Sequence, residues 1–396
     1  MSKERVQSCP ALEVYEWDSA RGWAKRTFDL HNSLSPDSDA NGGLVSAKSQ
    51  VCFVSARANK IRECESCRAY FTDNLLMPKS WWSDSSRMAN GYFSCRVTKN
   101  YIDTWVYFEI KQLEEGAKAK YRWYKLNLYI RWNKSTKQTI MLAFDVPDDL
   151  APTLLPDPNP RSLHLPFWFY PHLLSEVARL EESAVWAIRD RVRDIEKEAT
   201  PGGRPDPDYR HMHDVARHAH HVSEGLDVAA QTIQRILAQH RDLMQRGPLD
   251  EDDDELQDLH SQLQFFESFI SSLRYRSAAN EKRMANEIQL AFNTVAQHDA
   301  RTSVKIGLAT QSDSMTMKSI AVVTLTFLPP TFISAIFSMS FFNFSPESGW
   351  SISREFWLYW VFAVPTTVVV LLWYHRQRSF NPTIVAPEKQ SIQLFV

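Results

Sequence analysis

Met317, Ile320, Thr324, Leu328, Thr331, Ala335 and Ser338 recur at steps of three and four, so on a helix they form one stripe. The stretch around them, "IAVVTLTFLPPTFISAIFSMSFFNF" at 320–344, carries no charged side chain. Two chemistries suit such a stripe. Small and hydroxylated residues allow close helix packing, with Ser and Thr bonding their own backbone. The same hydroxyls can instead face water in a pore. Pro329 and Pro330 sharpen the choice, because neither has an N–H and the carbonyls one turn back lose their partners. In lipid those carbonyls need an internal partner or a watery cavity.

Other residues of chemical interest point to less. His211, His213, His218, His220 and His221 crowd one stretch, but no Cys or carboxylate stands at ligand spacing, so a polar helix surface is expected rather than a zinc site. Cys64 and Cys67 form a CxxC with no second pair at zinc-site spacing, and the five cysteines suit a reducing compartment. The acidic run "LDEDDDE" at 249–255 reads as a connector. No GxxxxGK[ST] occurs, which argues against ATP-driven work within this chain. Neither an enzyme activity, nor a tightly bound cofactor, nor a nucleic-acid partner is expected.

The elements that must position the stripe are legible in outline. A net charge of −2 with 23% charged residues describes an ordinary soluble protein, yet the average hides two apolar runs near the C-terminus. Residues 320–344 would span about 37 Å as a helix and 356–374 about 28 Å, against a hydrocarbon core of about 30 Å. Arg301, Lys305 and Lys318 precede the first run and "HRQR" from His375 to Arg378 follows the second. The positive-inside rule then puts both termini in the cytosol, with Trp350, Trp357 and Tyr359 near the outer interface. The N-terminus shows neither a secretory signal nor an Arg-rich presequence, so the large N-terminal part is expected to stay in the cytosol, and the plasma membrane is expected rather than an organelle.

Upstream, short aromatic and β-branched runs predict a sheet. In "YKLNLYIRW" at 124–132, Leu126, Leu128, Ile130 and Trp132 alternate with Asn127, Tyr129 and Arg131, the period of a half-buried strand. From about Ser175 the pattern turns helical, with Val177, Leu180, Ala184, Ile188, Val192 and Ile195 three or four apart. A second helix is expected from Tyr209 to Gln245. A third runs from about Glu255 into the first apolar run, where Leu256, Leu259, Leu263, Phe266, Ile270 and Leu273 suggest a self-associating stalk.

The stretch 273–342, above all "DSMTMKSIAVVTLTFLPPTFISAIFSM" with Met317, Pro329, Thr331, Phe332 and Met339, resembles the stalk and first membrane helix of CorA-like metal-ion transporters. "MHDVARHAHHVSEGLDVAA" at 212–230 is similar to their divergent fungal branch. The resemblance covers roughly 175–378 and implies an α+β membrane protein: a cytosolic α/β domain, then a long stalk helix continuous with the first of two transmembrane helices. The expected division is 1–165 sheet-containing domain, 166–254 helical hairpin, 255–318 stalk, 319–344 first membrane helix, 345–355 outer loop, 356–374 second membrane helix and 375–396 cytosolic tail.

The resemblance also implies a homopentamer in the bilayer, the stripe lining one passive pore for divalent cations, with magnesium as substrate and regulatory ion. Each stripe residue then becomes a collar, apolar collars gating by dewetting and hydroxyl collars touching a hydrated ion. The family's outer-mouth signature is Gly-Met-Asn, where this chain has Ser338-Met339-Ser340. Asn343, one helical turn on, is a candidate replacement for the amide, and Glu347 a candidate for concentrating cations outside. Asp299 and Asp313 on the stalk are candidates for divalent sensing. A second reading stays open: a membrane-anchored scaffold or signalling protein that keeps the fold and has lost conduction.

Overall fold

Long β-branched and aromatic runs pair into a sheet here because each buries its side chains against helices on one face or the other. The computed structural model describes residues 11–30, 43–46, 48–82, 89–114, 120–197, 205–246, 254–338, 342–347 and 349–380. The chain divides into two compact units, Met1–Val295 and Ala296–Val396.

In the first unit β1 (Ala11–Asp18), β2 (Gly22–Asp29), β3 (Val51–Ala56), β4 (Gly91–Val97), β5 (Tyr101–Leu113), β6 (Tyr121–Asn133) and β7 (Thr139–Phe144) form one seven-stranded sheet, ordered β2-β1-β3-β7-β6-β5-β4. Only β3 and β7 pair parallel; the other neighbours are antiparallel. The short helices α1 (Ala58–Glu63) and α2 (Glu65–Asp73) follow β3, and α3 (Tyr170–Lys197) and α4 (Tyr209–Arg246) follow the sheet. The last helix to enter this unit, α5, runs from Asp254 to Phe337.

The sheet is covered on both faces. Phe108, Ile110, Leu126, Leu128 and Ile130 share one apolar cluster with Val177 and Ile188 of α3 and Leu226 and Ile233 of α4. Tyr129, Leu142 and Phe144 share a second with Phe71, Trp81 and Trp82. The half-buried strand expected at 124–132 is therefore corrected: Tyr129 and Arg131 are as buried as Leu128 and Ile130. Alternation signals a polar face only where water covers that face.

The stalk expectation changes for a related reason. Leu256, Leu259, Leu263, Ile270 and Leu273 are buried in the first cluster, with Phe266 packed against it. The apolar stripe at the start of α5 is thus consumed within its own chain by α3 and α4 and is not a free self-associating seam. Gly91 sets how closely α4 can approach: a Cβ there would stand 2.8 Å from Val228 Cγ1 and 3.0 Å from the Tyr107 carbonyl.

Charge buried in this unit is handled unevenly. Asp103 is fully buried and accepts from Arg131 at 2.7 Å and Arg96 at 2.6 Å, while Tyr129 donates to the Leu75 carbonyl at 2.9 Å. Glu181 on α3 is 2% exposed and its Oε1 has no hydrogen-bond partner among the described residues. Burial pushes its carboxyl up to about 8. A raised value in the folded state means that its stabilising effect is full below the ordinary carboxylate range of about 4.3 and is lost as pH rises through about 8. Glu181→Gln is therefore expected to melt above the parent at about pH 8.5, with the gap closing towards about pH 5. A pH-independent difference in thermal unfolding would contradict this.

Candidate functional site

The second unit is built from the later part of α5, a hairpin of β8 (Phe342–Ser345) and β9 (Gly349–Ile352), and α6 (Trp357–Phe380). Both helices are long and apolar enough to cross a membrane. Pro329 and Pro330 lie inside α5, and Pro365 inside α6.

Packing between the two helices fixes the orientation of the stripe. Pro329 is buried, Ile333 is 9% exposed, and Ala363 of α6 is 3% exposed; Thr326 and Pro330 are half-buried. The Tyr359 hydroxyl donates to the Pro330 carbonyl at 3.3 Å. At 3.6 residues per turn, positions 326, 329 and 333 fall on the side of α5 opposite 324, 328, 331 and 335. Met317, Ile320, Thr324, Leu328, Thr331, Ala335 and Ser338 are all exposed. The stripe is left open by the fold, and α6 covers the other side.

Its hydroxyls have a defined polarity. Thr324 donates to the Ile320 carbonyl at 2.9 Å, Thr331 to the Phe327 and Leu328 carbonyls at 2.9 Å each, and Ser338 to the Ala335 carbonyl at 3.3 Å. A hydroxyl has one hydrogen and two lone pairs. With the hydrogen bound to the helix, only acceptor capacity faces outward. Water held by a cation turns its hydrogens outward, so this arrangement suits a hydrated cation. Backbone bonding and ion contact, alternatives in the sequence, are compatible in the structure.

At the far end the expectations change. Met339 and Ser340 lie outside the described residues. Helix α5 ends at Phe337 rather than continuing to 344, so Asn343 is not one helical turn further along it. Asn343 stands in β8, exposed, opposite Ser351 of β9. Aromatic residues favour the extended chain, and Pro346 with Gly349 at φ +71° turns it back. Glu347 is exposed in that turn. Trp350 and Trp357 are 73% and 60% exposed, whereas Tyr359 is half-buried by its bond to α5.

Asp299 and Asp313 are both exposed. Asp299 lies 3.6 Å from His298 Nδ1. Fourteen residues of helix separate the two acids by about 21 Å, so they cannot hold one ion within a single chain. Among the described residues no group of three or more His, Cys, Asp or Glu side chains could hold a metal.

The histidine stretch behaves as polar surface at His211, His213 and His220, the last bonded to Glu281 at 2.9 Å. His218 departs from that expectation, being 4% exposed with Nδ1 unpartnered. The Cys64 sulfur accepts from the Cys67 amide at 3.5 Å, a helix cap. Sequence reasoning missed the Tyr359–Pro330 contact, for which the only signal was the pair of amide-less residues facing an otherwise apolar partner.

Comparison with known proteins bears on what such a unit does. The sequence model described as CorA-like Mg2+ transporter protein matches residues 155–376, more than half of the chain. Notoamide biosynthesis cluster protein M' of Aspergillus versicolor is 29% identical over 304 residues, 69% of this chain and 63% of that protein. The chain thus spans a little under two thirds of that relative's length. Among solved structures, the full-length CmaX protein is similar at a TM-score of 0.48 with 12% identity, covering 95% of this chain and 100% of that one. The complete CorA magnesium transporter from Methanocaldococcus jannaschii is similar at 0.36 with 11% identity, covering 93% and 98%.

The close contact at Ala363 is open to test. Ala363→Phe inserts a ring where α5 and α6 meet and is expected to destabilise the protein by about 1–3 kcal/mol. Val369→Phe, at a position 64% exposed, should leave thermal unfolding in detergent unchanged. Equal effects at the two positions would contradict the assigned face.

Proposed function

The chain belongs to the CorA-like Mg2+ transporter protein family and is a membrane protein, and on that premise we propose that it is a passive divalent-cation channel, with magnesium as substrate. Five copies surround one pore lined by the stripe of α5, with both termini in the cytosol and the plasma membrane as host. The observation that carries this reading is the exposed stripe opposite α6, whose hydroxyl hydrogens are bound to the helix.

In a ring, Thr324, Thr331 and Ser338 supply collars of oxygen acceptors. Magnesium dehydrates reluctantly, so a pathway that bonds to its outer waters passes the ion without stripping them. Met317, Ile320 and Leu328 form apolar collars between or inward of these, and a narrow apolar ring closes by losing its water. Inward movement needs no ATP, because a negative interior contributes about 2.3 kcal/mol per charge per 100 mV. Asp299 and Asp313, too far apart to share an ion in one chain, can meet an ion held against a neighbouring copy, which gives magnesium a regulatory role as well. Glu347 in the outer turn raises the local cation concentration. Nothing in the reading requires an enzyme activity.

A second reading, a non-conducting scaffold, is favoured by one observation: Ser340 stands where the family signature has an amide. A hydroxyl can still bond to a coordinated water but lacks a carbonyl dipole. Magnesium uptake into liposomes holding the purified protein separates the two. The channel reading expects uptake by the parent, and a higher leak in Ile320→Asn as water enters the apolar collar. No uptake by the parent, with uptake appearing in Ser340→Asn, would establish the scaffold and overturn the channel.

A further inference from the structure

Lys111 of β5 is 5% exposed, yet among the described residues its ammonium meets no carboxylate and no hydrogen-bond acceptor. It rests over the ring of Tyr121 at 4.2 Å and that of Trp123 at 5.1 Å. Ring faces attract a cation but accept no conventional hydrogen bond. Beside it, Tyr121 packs against His218 of α4 with centroids 5.2 Å apart, and His218 Nδ1 is buried without a partner. Two polar residues, each more than nine-tenths buried, therefore lie at one place: Lys111 against ring faces, and His218 with Nδ1 lacking a hydrogen-bond partner among the described residues, where most such groups are paired.

The charge around them is mostly positive. Arg217 acts on both Lys111 and His218, and Arg191 acts on His218 as well. Burial, reinforced by Arg217, pushes Lys111 down to about 8, and burial with Lys111 pushes His218 down to about 4. The acids nearby are already engaged: Asp214 by Arg217 and Glu224 by His221. Arg210, His213, Asp214 and Arg217 line an open cavity of about 550 Å³ on α4, with Arg217 the member shared with this cluster. Arg217 shares its charge with Asp214 and Arg191 donates to the Glu114 carbonyl at 2.9 Å, so the net surplus of cations beside the unpartnered His218 Nδ1 is complementary to an oxyanion.

We propose that Lys111, Arg217 and His218, with Arg191 behind them, form a binding site for a phosphate-bearing small anion on the soluble unit. Lys111 and Arg217 supply charge-assisted donors, and His218 donates from Nδ1 when its proton sits there. Tyr121 and Trp123 hold the lysine stem in place. The site does not depend on the transport reading.

The test is isothermal titration of the full-length protein in detergent with inorganic phosphate and, separately, with adenosine monophosphate. Saturable binding is expected, weakened roughly tenfold or more in Lys111→Met and in Arg217→Gln, the loss of one charge-assisted bond. Arg179→Gln, an exposed arginine on α3, should bind as the parent does. At about pH 8 binding should be accompanied by proton uptake, because an anion beside Lys111 raises its proton affinity. Tighter binding of the nucleotide than of phosphate would identify a nucleotide as source, and equal binding a free phosphate. No saturable binding of either, or binding unchanged in the variants, overturns the proposal. Arg217, 65% exposed, can be replaced without disturbing the core, so its variant decides the matter if Lys111→Met fails to fold.

Discussion

A span that lies in hydrocarbon must satisfy its polar groups from within, and in α5 two adjacent prolines remove two of the amides that would do so. The carbonyls of Leu325 and Thr326 lose their usual donors on the side of the helix where α6 packs. Pro329 is buried there, and Tyr359 reaches across to the Pro330 carbonyl. The proline side of α5 is thus the side that α6 contacts, at Pro329 and at the Pro330 carbonyl. The opposite side stays regular, and its Thr and Ser hydroxyls bond back to the helix. Which face of α5 is left open by α6 goes with where the prolines are packed.

The soluble unit follows the same logic with different outcomes. Its sheet is buried on both faces, so every charge on a central strand or its covering helices must find a partner or be perturbed. Asp103 finds two arginines. Glu181 Oε1 finds none among the described residues, and burial drives the carboxyl towards its neutral form. Lys111 finds only aromatic rings. These are unlike solutions within one fold, and the unsolved cases are where a proton or an anion has something to gain.

The elements that rest on local pattern were legible in the sequence. The helix expected from Tyr209 to Gln245 is α4, Tyr209–Arg246, and the apolar stripe at Val177–Ile195 is the buried face of α3. The spacing of the α5 stripe was legible in the sequence, whereas its pore-lining role came from the family resemblance. What the sequence hid depends on contacts far apart in the chain. Tyr129 and Arg131 looked solvent-facing because period two cannot tell water from a second layer of helices. Leu256 to Leu273 looked like a seam between chains because a heptad pattern does not say whose helix fills it. Asn343 looked helical because an apolar run carries no mark of the hairpin that Pro346 and Gly349 impose. The Lys111 cluster joins β5, β6, α3 and α4, and no spacing within any one of them announces it.

The central claim, that the open stripe of α5 faces a water-filled path, is tested most directly by labelling single cysteines placed along 317–338 with a small charged thiol reagent, in a parent whose five native cysteines are replaced. The account predicts labelling that recurs at 317, 320, 324, 328, 331, 335 and 338, with protection by magnesium, and none at 329 or 333. Uniform labelling, or labelling centred on 329 and 333, would contradict it.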